Sequence, residues 1–122
     1  MSAEIRTQID KFNKYLEQVS PKEDEKLIER LEMLQVLLSK SGTVLADAKY
    51  LRDSAVQEAI KGVISNPDYV GMTATVINEY VKTAAKDYNF LVNSLDRINS
   101  TCVHQIDAIR SILSYRKSQM LL

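Results

Sequence analysis

The sequence predicts an all-α fold: a long antiparallel helical hairpin with a short N-terminal helix laid along it, in a coiled-coil-like bundle. Three observations lead there. Gly (3) and Pro (2) are too scarce to supply the turns of a β domain. The two prolines divide the chain into one short and two very long segments. Within each segment apolar residues return every three or four positions, a mean of about 3.5, which is the repeat of left-handed supercoiled helices. At 122 residues the chain is read as a single domain. Its 45% hydrophobic and 26% charged residues suit a packed core rather than disorder.

The first helix is expected over residues 3–18, with Ile5, Ile9, Phe12, Leu16 and Val19 on its apolar stripe. Ser20-Pro21-Lys22-Glu23 reads as a helix start. Ser20 caps, Pro21 takes the first position where no donor is needed, and Glu23 reaches back to the Ser20 N–H. The second helix is therefore expected over 21–64. Its stripe is Leu27, Leu31, Leu34, Leu38, Ser41, Leu45 and Ala48, with a second column at Leu37, Val44 and Leu51. Gly62, Asn66, Pro67 and Gly71 mark the chain reversal. The third helix is expected over 68–118, capped by Asn66 or by Thr73. Its stripe is Ile77, Val81, Ala84, Tyr88, Leu91, Leu95, Ile98, Cys102, Gln105 and Ile109. Val92, Asn99, Ile106, Leu113 and Met120 form its second column.

At about 1.5 Å per residue the two long helices would measure ~65 and ~70 Å. A stripe of three positions in seven asks for three or more helices around it. The first helix is too short to cover the whole hairpin, so the end near Pro67 would keep an open apolar face. A homo-oligomer is the expectation, most simply a dimer whose hairpins form four helices over part of their length.

Charge and composition narrow the chemistry. Lys+Arg and Asp+Glu are both 16, so no overall field draws the molecule to nucleic acid or an anionic membrane. With one Cys and one His there is no internal disulfide, thiolate cage or histidine-rich metal site to expect. Glu-x-x-His is absent, and the acidic row Glu25, Glu29, Glu32 faces only the scattered Asp87, Asp96 and Asp107. No Gly-rich phosphate loop occurs. Neither metal nor cofactor is expected, and the chain reads as non-enzymatic. The polar N-terminal stretch and the lack of about 18 consecutive apolar residues predict a cytoplasmic protein without a membrane partner, and the free Cys102 agrees with a reducing compartment.

Four places stand out. Ser39-Lys40-Ser41-Gly42-Thr43 interrupts the second helix, and a mid-helix Gly costs about 1 kcal/mol relative to Ala. It reads as a break, as a continuous helix with close backbone approach at Gly42 to the third helix or a partner, or as a pocket lined by hydroxyls. Next, Lys49 and Asp53 have the spacing of a surface pair, while Lys49 and Arg52 beside Tyr50 offer charge to an anion. In the third helix Cys102 and Gln105 fall on core positions, where a Gln fixes register or oligomer state. His104 and Asp107 share a face with Ser100 and Ser111, but a helix surface provides no oxyanion hole, so a polar contact is expected there and not a triad. Finally, Arg110, Arg116 and Lys117 make the C-terminal stretch basic, opposite the acidic start of the second helix.

Ser41-Gly42 leading into Leu45-Ala46-Asp47-Ala48-Lys49-Tyr50, together with Cys102-x-His104-Gln105-x-Asp107-x-x-Arg110-Ser111-x-Leu113-Ser114-Tyr115, resembles small helical proteins of unknown function carried by phages and prophages of gut bacteria, often beside recombination genes. The resemblance spans about half the chain. It implies an accessory role in a bacterial host, such as assisting single-strand DNA handling or blunting a host defence, and it brings no site residues with it.

The functional expectation is an oligomeric interaction or scaffold protein that presents helix surfaces to a protein partner. Ser41, Gly42, Cys102, His104, Gln105 and Asp107 are its candidate polar core or interface residues. The rival expectation is a module for an anionic ligand, single-stranded nucleic acid or a nucleotide signal, contacted by Lys49, Arg52, Arg110, Arg116 and Lys117.

Overall fold

The computed structural model describes residues 1–120, and the chain is all-helical across them. Helix α1 runs Ser2–Leu16, α2 runs Asp24–Ser65, a single 3-10 turn covers Pro67–Tyr69, and α3 runs Ala74–Met120. Helices α2 and α3 form the long hairpin. Helix α1 lies against one half of it, parallel to α3: Arg6 sits over the Phe90 ring, while the Leu16 carbonyl accepts a hydrogen bond from Gln105.

Each apolar stripe explains its helix's packing. Ile5, Ile9, Phe12 and Leu16 are buried, at the spacing of one helix face. They close over Leu27, Leu34 and Leu37 of α2 and Leu91, Val92, Leu95, Ile98, Cys102, Ile106 and Ile109 of α3 in one core. Leu31, Leu38, Val44, Leu45, Leu51, Tyr88 and Leu113 pack at its edge. Five apolar members of the expected stripes lie outside it: Val19, which follows the end of α1, and Met120, at the far end of α3, are exposed, while Ile77, Val81 and Ala84 are half-buried in the part of α3 nearer the reversal.

The helix starts differ from the sequence reading. Helix α2 begins at Asp24 and not Pro21, with Glu23 extended before it and no side-chain cap bond, so the Ser20–Glu23 capping box does not form. The reason is spatial: α1 runs antiparallel to α2, and the chain must cross about 8–10 Å between neighbouring axes before the next helix can begin. Residues 17–23 make that crossing. At the reversal both proposed caps are used. Asn66 Oδ1 accepts from the Asp68 N–H at the 3-10 turn, and Thr73 Oγ1 accepts from the Val76 N–H to start α3. Gly71, with φ +89°, supplies the left-handed residue between them.

Coverage changes along the hairpin. Where α1 lies on it, three helices enclose a continuous core. Beyond Ala48 and Leu91, toward Pro67, only Ala59 and Ala85 are buried among the described residues, while Leu51, Val56, Val63, Ile77 and Val81 are half-buried. Ile60, Ile64, Val70, Met72 and Val76 are exposed there, Ile64 by 80% and Val70 by 85%. No helix among the described residues is long and apolar enough to cross a membrane.

Candidate functional site

Two buried polar clusters interrupt the core. The first joins Ser41 of α2 to Asn99 of α3. Ser41 is fully buried; its hydroxyl reaches the Leu38 carbonyl at 3.1 Å and meets Asn99 Oδ1. The stripe places both residues correctly, and the hairpin register brings them together. Because a hydroxyl and an amide in an apolar seam must find each other, this pair fixes the register of α2 on α3.

The second cluster centres on Arg30, which is 7% exposed. Its Nη2 donates to Gln105 Oε1 at 2.9 Å and to the Gln18 carbonyl at 3.4 Å. The guanidinium stacks 4.4 Å from the Tyr15 ring centroid. Gln105 Nε2 in turn donates to the Leu16 carbonyl at 3.1 Å. Carbonyls at the end of a helix have no intrahelical partner. Arg30 and Gln105 supply partners from the other two helices and so tie the end of α1 to both. Gln105, on the core stripe of α3, thus bonds both Arg30 of α2 and the last residue of α1. Arg30 breaks the apolar pattern, yet it stands seven residues before Leu37 in the column Leu37, Val44, Leu51. Extending the heptad one step backward finds it. No carboxylate pairs with Arg30 among the described residues, and its Nε is buried without a partner.

Cys102 is fully buried beside this cluster. Burial raises its thiol pKa above the ordinary value; the Arg30 charge and a backbone hydrogen bond at Cys102 lower it, but less. The thiol is held protonated as a small core hydrophobe.

The other candidates lie apart. Helix α2 is continuous through Gly42, so it does not break there. A Cβ built at Gly42 would meet nothing within 4 Å, so the backbone makes no close approach to α3 at that point. His104 and Asp107 are exposed on α3, with no hydrogen bond between them among the described residues. Asp53 pairs with its neighbour Arg52 at 3.1 Å and not with Lys49. Arg116 binds Asp24 and, at 2.8 Å, the Lys22 carbonyl, matching the expected pairing of the basic C-terminal stretch with the acidic start of α2. Arg110 and Lys117 are exposed in the same stretch. The structure does not gather the five candidate cations. Lys49 and Arg52 stand level with about residue 90 of α3, roughly 25 residues or ~37 Å along the helix from Arg116. No group of three or more His, Cys, Asp or Glu residues able to hold a metal ion occurs among the described residues. No protein-family model, curated protein or solved structure matches the chain.

Proposed function

We propose that this chain is an oligomeric helical scaffold: the α1-covered half is a self-sufficient core, and the bare half of the hairpin is an arm that binds the same arm of a second copy. The observation that carries this reading is the contrast in burial: among the described residues of the arm only Ala59 and Ala85 are enclosed, while Ile60, Ile64, Val70, Met72 and Val76 stay exposed. Ile60 and Ile64 lie one turn apart on α2, and Val76 follows the reversal at the same end. A two-stranded hairpin of such length leaves a large fraction of each stripe in water. The arm is about 25 Å long and ~20 Å wide, from the rise and diameter of its helices. One face offers ~500 Å² per copy, or about 1,000 Å² in total, which reaches the lower bound of a specific interface. Two arms face to face make four helices, the arrangement a stripe of three positions in seven favours.

The outer faces of such a dimer would carry the protein partner, and the resemblance to phage accessory proteins would place that partner in a bacterial host. An anionic-ligand module gains no support from cations spread along the length of the rod. Sedimentation equilibrium tests the reading. The wild type should form a dimer at micromolar concentration, and Ile64→Glu with Val76→Glu should give a folded monomer. A wild type that stays monomeric, or a double variant that stays dimeric, would overturn it.

A further inference from the structure

The buried Arg30 borders an open groove of about 310 Å³ between the end of α1, the crossing segment and the first turns of α2. Its walls are Tyr15, Gln18, Val19, Pro21, Lys26, Glu29, Arg30 and Met33. We infer that this groove binds a monovalent carboxylate attached to an apolar body. Three features converge on that chemistry. First, Arg30 is nine-tenths buried with no carboxylate partner; its described hydrogen bonds all leave from Nη2, and Nε has none. A buried cation without a counter-ion is costly to keep; with both Nη2 hydrogens taken up by Gln105 and Gln18, a carboxylate oxygen would bond the guanidinium through Nη1. Second, the groove's ionisable lining is Lys26, Glu29 and Arg30, a net charge of +1 that suits a single negative charge; Glu29 opposes a phosphate dianion. Third, Tyr15, Val19, Pro21 and Met33 supply apolar wall beside the cations, as small-molecule sites do.

The groove is shallow, so binding should be weak, about millimolar for a ligand of ten heavy atoms. The test uses the full chain, labelled with ¹⁵N, and follows the Arg30 Nε–Hε resonance. The probes are phenylacetate, its neutral amide, a short apolar peptide with a free C-terminal carboxylate, and inorganic phosphate. Phenylacetate should move the Arg30 signal with saturation, and phenylacetamide and phosphate should not. A tighter response to the peptide assigns the site to a chain terminus, and a tighter response to phenylacetate assigns it to a small acid. Lys26 and Glu29 are exposed, so their variants should keep the fold. Lys26→Gln should weaken binding about two- to five-fold and Glu29→Gln strengthen it by a similar factor, the size of a rim charge contact. Equal responses to acid and amide, a linear response without saturation, or no effect of Glu29→Gln would overturn the assignment. The oligomer state plays no part in this readout, so its failure is separate from failure of the scaffold reading.

Discussion

Replacing Arg30 with Met and Gln105 with Leu, singly and together, tests whether the buried cluster holds α1 in place. Arg30→Met removes a charge-assisted bond to Gln105, a longer one to the Gln18 carbonyl and the stack on Tyr15, and leaves Gln105 Oε1 unpaired. Relief of burying an uncompensated cation offsets part of that, so the net loss should be about 2 kcal/mol. Gln105→Leu strips one acceptor from Arg30 and the donor from the Leu16 carbonyl, also at about 2 kcal/mol. In the double variant neither side chain strands the other, so the combined loss should fall about 1–2 kcal/mol short of the sum. Urea denaturation followed by far-UV circular dichroism at low protein concentration reads all four states. Each kcal/mol should also move Tm by about 4 °C for a chain of this length. Strict additivity, within ~0.3 kcal/mol, would refute the claim that these residues act as one unit.

Three further predictions follow from the same structure. Gly42→Ala should stabilise the fold by about 1 kcal/mol, because the site is mid-helix with open space where the methyl would go; thermal unfolding measures it, and a destabilised variant would show that something packs there. Cys102 should resist thiol reagents in the folded protein and react fully in denaturant. Because its folded pKa is raised, the unfolded state ionises first; the stability tied to this thiol is present below the unfolded pKa and lost as pH rises through and above it. Wild type minus Cys102→Ala, compared at neutral and alkaline pH, isolates that slope, and parallel curves would contradict it.

Much of the architecture is legible in the residues because it rests on period. The 3.5-residue spacing identifies every buried position of α3 from Leu91 to Ile109, and the scarcity of Gly and Pro fixes the number of reversals. Local rules fail where tertiary geometry overrides them. Ser20-Pro21-Lys22-Glu23 has the pattern of a helix start, yet α1 folds back on α2 and those residues are needed for the crossing. Lys49 and Asp53 have the right spacing, but Arg52 lies nearer. Arg30 escapes a search for apolar periodicity because a charged residue in a heptad column reads as a solvated one. Its hydrogen-bond partners are the Gln105 side chain of α3 and the Gln18 carbonyl just past α1, and no local pattern announces them.

In the proposed scaffold a second copy, and not the arm's own core, completes the bare arm. Amide hydrogen exchange across a range of protein concentrations measures this most directly. Protection of residues 53–65 and 74–86 should rise as concentration brings arms together, while residues 27–48 and 91–109 keep the same protection throughout. Arm amides whose protection does not change from dilute to concentrated solution would contradict the account.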